Sequence, residues 1–229
     1  MFDRLELLIG KESIKKIKEK HIVVLGLGGV GGFVVESLVR SGVENITIID
    51  NDIIDITNLN RQIIASNNNL GNKKTEEFQK RILSINNNVK VNKINDFIDK
   101  SNIDDLFNQK IDYFIDACDT INTKKLAIKK CLEKNIKFIT CLGTGKRMDP
   151  SKLKITDIRN TKYDPIARIL RKYIKDEKIS NKILCCYSEE KPKKIQSKTI
   201  ASSIFVPSIA GILIASYIIR DICKEKELS

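Results

Sequence analysis

Glycines, a carboxylate and a spaced arginine–lysine pair are the groups in this chain whose types and spacing could act on a phosphate. Gly26-Leu27-Gly28-Gly29-Val30-Gly31 follows the β-branched run Ile22-Val23-Val24-Leu25 and leads into residues 30–39, which read as a helix. A glycine fingerprint carries meaning only in such a strand–turn–helix setting. Gly26, Gly28, Gly29 and Gly31 let backbone approach a phosphate, and the helix start offers it unpaired N–H groups. A second strand over 45–49 ends at Asp50, about the spacing at which a carboxylate meets ribose hydroxyls; the other reading of Asp50 is a loop or capping carboxylate. By themselves the glycines and Asp50 suggest NAD. Arg61 and Lys74 argue otherwise, because a nicotinamide site has no obvious use for them and a triphosphate does. Arg forks onto phosphate oxygens, and Lys sets a point charge between phosphates. Taken singly, each also reads as a surface charge. Asp119 ends the turn Asp116-Ala117-Cys118-Asp119 after a strand over 111–115. Ligands of open α/β sheets bind at such carboxyl ends. Asp116, in the same turn, reads as structural.

The elements that must position these groups alternate along the chain. An amphipathic helical region over 5–20 precedes the first strand. Ser41-Gly42 stops the next helix, and residues 52–70 form a polar loop with short helical turns. Helices are expected over 72–85 and 122–133, and strands over 89–94, 111–115 and 138–141. This rhythm predicts an α/β, Rossmann-like doubly wound, mostly parallel sheet. After Cys141 the texture changes: a loop over 143–150, strands over 153–158 and 183–187, a basic helix over 165–175 and an apolar helix over 209–219. The organisation expected is a single domain over 1–229, with a nucleotide-binding core over 1–150 and a basic substrate-binding extension over 151–229.

At 229 residues and 41% hydrophobic, the chain suits one substantial core. Its six cysteines form no CxxC pair, which fits reduced, mostly buried thiols of a cytoplasmic protein and disfavours a zinc site on paired motifs. The N-terminus is too charged for a signal peptide. Residues 199–219 lack charge and raise the question of a membrane span. Their serines, glycine and proline point instead to a loop or strand leading into a buried helix. His21 is the sole histidine, so a Ser-His-Asp triad has no base, and no GxxxxGK[ST] loop is present. The net charge is +12, and residues 146–198 hold 16 Lys/Arg against 7 Asp/Glu. That concentration suggests a polyanion, most simply nucleic acid, with a solvated basic face as the alternative.

Asp50-Asn51-Asp52, Asn58-Leu59-Asn60-Arg61-Gln62, Gly71-Asn72-Lys73-Lys74 and the later Asp119 together resemble a known family. It is that of the ATP-dependent adenylating enzymes, which includes ubiquitin-activating enzymes and the activators of small sulfur-carrier proteins. The resemblance implies ATP bound by Gly26, Gly28, Gly29, Gly31, Asp50, Asp52, Asn58, Arg61, Gln62, Lys74 and Asp119. It gives Arg61 and Asp119 catalytic roles, with Asp119 holding Mg²⁺ beside the triphosphate. Arg4, in Arg4-Leu5-Glu6-Leu7-Leu8-Ile9-Gly10, matches a family arginine that reaches the neighbouring subunit's ATP site, which implies a homodimer. On the residues alone Arg4 reads equally as an exposed helix arginine.

Across nearly the whole chain the order of Asp116-Ala117-Cys118-Asp119-Thr120, Asp149-Pro150, Tyr187-Ser188-Glu189-Glu190 and Phe205-Val206-Pro207-Ser208 resembles the family's tRNA-modifying branch. The implied substrate is tRNA carrying threonylcarbamoyladenosine, and the implied reaction is ATP-dependent cyclisation of that group through an acyl-adenylate. Cys185 and Cys186 read as buried strand thiols, with thiolate assistance as the alternative. Competing readings are a sulfur-carrier adenylyltransferase, an NAD-dependent oxidoreductase and a non-catalytic RNA-binding module.

Overall fold

A computed structural model describes residues 1–197 and 199–224. Two helices open the chain, α1 (Asp3–Ile9) and α2 (Lys11–Glu19). The continuous helical region expected over 5–20 breaks at Gly10, whose φ of +84° suits glycine. The hydrophobic side of α2 buries Ile14 and Ile17.

The body then alternates: β1 (His21–Leu25), α3 (Gly31–Arg40), β2 (Asn45–Ile49), α4 (Lys74–Ile85) and β3 (Lys90–Ile94). There follow α5 (Ile103–Leu106), β4 (Tyr113–Asp116), α6 (Ile121–Glu133) and β5 (Lys137–Cys141). The last elements are β6 (Leu153–Asp157), α7 (Pro165–Asp176), β7 (Leu184–Ser188) and α8 (Phe205–Lys224). The loop between β2 and α4 carries 3-10 turns at Ile56–Asn58 and Asn67–Asn69, the short helical turns expected there.

Among the described residues seven strands form one sheet in the order β3-β2-β1-β4-β5-β7-β6. Only β6, paired with β7, runs antiparallel. This is the doubly wound, mostly parallel architecture expected. The strand order turns back at β1, which pairs with β2 on one side and β4 on the other. Leu25 is therefore in register with both Ile49 and Asp116. The ends that carry the glycine turn, Asp50 and Asp119 meet at this switch point, where a doubly wound sheet opens its crevice.

Two strands after residue 150, β6 and β7, join the sheet. β7 inserts between β5 and β6, and α8 packs on α3. Val206, Ile214 and Ile218 of α8 share one core with Val34 and Leu38 of α3. The approach is close: a Cβ on Gly211 would lie 2.4 Å from the Val30 carbonyl oxygen. Among the described residues α8 is the one helix long and apolar enough to cross a membrane. Much of its surface is spent in this core. It begins at Phe205 rather than near Ile209, because a proline inside the first turn, Pro207, forfeits no helical hydrogen bond. The opposite sheet face is covered by α5 and α6, through Leu106, Phe107 and Ala127. α7 packs Leu170 and Ile174 against β7.

Candidate nucleotide site

A cavity of about 460 Å³ opens at the β1–β4 switch point. Gly26 leaves β1 with φ +90°, and a Cβ there would stand 2.8 Å from the backbone of Ala117. Gly31 is equally constrained, since its Cβ would fall 1.7 Å from the Gly26 carbonyl oxygen. These two glycines let the turn fold against β4, and Gly31 does not line the cavity. Gly28 and Gly29 do line it. A Cβ on Gly28 would meet only the Gln62 amide at 3.9 Å, so its backbone faces open space.

Asp50 lines the same cavity and also braces the turn. Its Oδ2 accepts from the Leu27 N–H at 2.6 Å and its Oδ1 from the Asp52 N–H at 2.8 Å. Burial pushes its pKa up, more than the charge of Lys74 and the two N–H groups pull it down. Lys74 enters from the start of α4, is 3% exposed, and pairs with Asp52 at 2.8 Å and Asp50 at 3.8 Å. Arg61 donates to the Thr57 carbonyl at 2.6 Å and to the Asn60 side-chain oxygen at 3.0 Å. Asn58 fixes the loop by accepting from the Asp55 N–H at 3.1 Å, while the Asp55 side chain caps the same 3-10 turn. Gln62 is buried in the cavity wall, and its Oε1 has no hydrogen-bond partner among the described residues. A buried polar atom left unpaired is costly, and a ligand would satisfy it.

The β4–α6 turn holds two unlike carboxylates. Asp116 is 1% exposed and pairs with the fully buried Lys124 at 3.0 Å. Thr140 donates to it at 2.6 Å, and Lys124 donates on to the Cys141 carbonyl at 2.7 Å. Burial opposes the Lys124 charge, but the carboxylate beside it wins and holds the ammonium above its usual pKa. Asp119 is exposed on the cavity rim and makes no hydrogen bond to another described side chain. Among the described residues no cluster of three or more metal-ligand side chains exists. A Mg²⁺ ion bound through one carboxylate and substrate phosphates needs no such cluster, so Asp119 fits that role.

Gly26, Gly28, Gly29, Asp50, Asp52, Asn58, Arg61, Gln62, Lys74 and Asp119 thus line one cavity. Arg4 is exposed on α1 and does not line its own chain's cavity. Cys185 and Cys186 lie buried on β7, away from the cavity. Burial pushes the Cys185 thiol well up, and a hydrogen bond with Cys141 together with burial does the same for Cys186. Neither supplies a thiolate at neutral pH. His21 bridges the Lys110 carbonyl at 2.6 Å and the Thr47 hydroxyl at 2.8 Å.

Sequence reasoning passed over several residues. Phe97 and Ile98 after β3, Thr144 after β5, and Ser202 and Pro207 before and in α8 complete the cavity wall. Lys124 was legible in principle, as a lysine on the buried face of α6 beside Thr123, Ala127, Ile128 and Cys131. The positive charge of 146–198 is also less free than its count. Arg147 is 3% exposed and ion-paired with Asp164 at 3.2 Å, and it donates to the Gly143 carbonyl. Arg159 pairs with Asp157 at 3.0 Å, and Arg171 donates to the Thr161 carbonyl at 3.0 Å. Arg168, Lys172 and Lys175 of α7 remain exposed.

Fold and cavity together define a nucleotide-binding α/β protein of the doubly wound kind. The chain belongs to the ThiF family, whose model matches residues 2–229. It is 35% identical to the tRNA threonylcarbamoyladenosine dehydratase of Bacillus subtilis, over 99% of this chain and 96% of that protein. Its fold matches crystal structures of the Escherichia coli tRNA N6-threonylcarbamoyladenosine dehydratase. The AMP complex gives a TM-score of 0.91 at 31% identity, covering 96% of this chain and 93% of that one. The ATP complex gives 0.91 at 30% identity with the same coverage.

Proposed function

We propose that this protein uses ATP to cyclise the threonylcarbamoyl group of threonylcarbamoyladenosine in tRNA, with net loss of water. The observation that carries the reading is the convergence of Gly28, Asp50, Arg61, Lys74 and Asp119 on one cavity at the sheet's switch point. The B. subtilis and E. coli dehydratases named above, one of them crystallised with ATP, support it. In this reading Asp50 takes the ribose hydroxyls, and the glycine turn takes phosphate on its N–H groups. Lys74 and Arg61 are held by Asp52 and Thr57 until phosphate oxygens compete for them. The substrate carboxylate attacks the α-phosphate, giving an acyl-adenylate and releasing pyrophosphate. A group of the same urea-containing side chain then attacks the activated carbonyl, closes the ring and expels AMP. The protein's share is positioning and charge neutralisation, so no enzyme nucleophile is required. Mg²⁺ held by Asp119 would supply further positive charge at the phosphates.

The same reading makes the protein a cytoplasmic homodimer in which Arg4 reaches the partner's cavity. Arg4 is exposed and stands outside its own cavity, which supports action across subunits. Mixing Arg4→Ala with Asp119→Ala subunits should restore one complete site per heterodimer. A mixture that stays inactive despite proven subunit exchange contradicts it. Pyrophosphate release tests the chemistry itself: it should require tRNA carrying threonylcarbamoyladenosine and not occur with unmodified tRNA or a sulfur-carrier protein. Release driven by a carrier protein instead would overturn the reading.

A further inference from the structure

Four non-glycine residues among those described have left-handed backbones: Asn135, Lys146, Tyr163 and Lys178. Asn135 and Lys178 follow the last turns of α6 and α7, where such conformations end helices. Lys146 (φ +60°) and Tyr163 (φ +58°) have no such reason. Each directly precedes one partner of the buried Arg147–Asp164 ion pair. That pair locks the loop after β5 onto the start of α7, and it holds the two strained residues in place. Strain of this kind persists where the surroundings over-determine it, and it gathers at functional sites.

Tyr163 is 53% exposed. Lys191 lies 4.8 Å from its ring centroid. Backbone hydrogen bonds tie the segment that carries Lys191 to the cavity mouth. Thr144 and Ser202 line the cavity. Between them the Lys146 N–H donates to the Ala201 carbonyl and the Lys193 N–H to the Lys146 carbonyl, both at 2.8 Å. An exposed aromatic ring with a lysine ammonium close by matches the recognition of unpaired nucleotides, in which bases stack and cations meet the phosphates.

We propose that Tyr163 is a stacking platform for an unpaired base of the tRNA substrate, with Lys146 and Lys191 meeting the adjoining phosphates. This rests on the tRNA reading above and adds where the RNA enters: across the loop after β5, beside the segment leading into α8.

The chain contains no tryptophan, so Tyr163→Trp installs a single reporter. Its fluorescence should be quenched as tRNA saturates the protein, with retention of labelled tRNA on filters measuring binding separately. Tyr163→Ala should weaken tRNA binding by roughly tenfold or more. The salt slope should stay unchanged, because stacking releases no counterions, and ATP affinity should be retained. Tyr163→Phe should keep near-normal affinity. Lys191→Gln should instead flatten the salt slope by about one unit. Tyr163→Gly is the control for a merely structural role: it relieves the left-handed strain, so tRNA binding should fall while Tm does not. Unquenched fluorescence of the Tyr163→Trp variant at saturating tRNA, or normal tRNA affinity in Tyr163→Ala, overturns the platform. Wild-type protein that retains no tRNA overturns the tRNA reading itself, and the platform with it.

Discussion

Asp116 and Asp119 leave β4 three residues apart, and their surroundings make them different groups. Asp116 is sealed with Lys124 and Thr140 beneath the turn. Asp119 stands on the cavity rim, exposed, with no side-chain partner among the described residues. The basic region repeats the contrast, with Arg147 sealed against Asp164 and Arg168 exposed on α7. In both places a buried pair fixes the backbone from which the exposed charge works. A charged residue's type therefore says little until its burial is known: the sealed charge is committed to the fold, and the free one is left for a ligand.

The largest effect should come from unbalancing the sealed pair. Lys124→Met leaves Asp116 buried without its cation and should cost about 3–5 kcal/mol in denaturant unfolding. Adding Asp116→Leu should recover much of that loss, since an apolar pair carries no desolvation cost. If Lys124→Met costs nothing, the contrast within the turn is wrong. On the exposed side, Asp119→Ala should slow ATP–pyrophosphate exchange by at least about a hundredfold. Its unfolding curve should match wild type, because an exposed side chain contributes little. Equal losses of stability in the two variants would erase the distinction.

Smaller effects sharpen the comparison in the basic region. Changing Arg168, Lys172 and Lys175 together to Gln should flatten the salt dependence of tRNA binding, by about one unit for each phosphate no longer neutralised. Arg147→Gln should act mainly through stability. Arg171 is a poor probe of RNA binding, because its guanidinium is already engaged with Thr161. The smallest effect concerns pH. Native Asp50 holds its proton to a higher pH than an ordinary carboxylate, because burial raises its pKa. The protonated form is the poorer acceptor for ribose hydroxyls. ATP affinity should therefore weaken as pH falls from neutral through that raised pKa, before ordinary carboxylates titrate. Calorimetric titration of ATP at several pH values measures it, and a flat profile would remove Asp50 from the ribose.

The parts that were legible in the sequence are those that local chemistry dictates. β-branched runs, glycine stops and amphipathic helices set the β–α rhythm, and the glycine turn with Asp50 located the crevice. The N-terminal helices were misjudged only in running through Gly10. What sequence reading missed depends on distant partners. Nothing local says that β7 slots between β5 and β6, or that α8 brings Pro207 to the cavity. Counting charges over 146–198 could not separate Arg147, spent inside the protein, from Lys191, free to stack on Tyr163. The apolar neighbours of Lys124 on α6 mark its burial, but its partner Asp116 lies on another element.

The most direct test of the account is mass spectrometry of tRNA nucleosides after incubation with the protein, ATP and Mg²⁺. Threonylcarbamoyladenosine should be converted to a product lighter by one water, only when ATP is present, and Asp119→Ala should leave the nucleoside unchanged. Unaltered threonylcarbamoyladenosine with folded, ATP-binding protein would contradict the account.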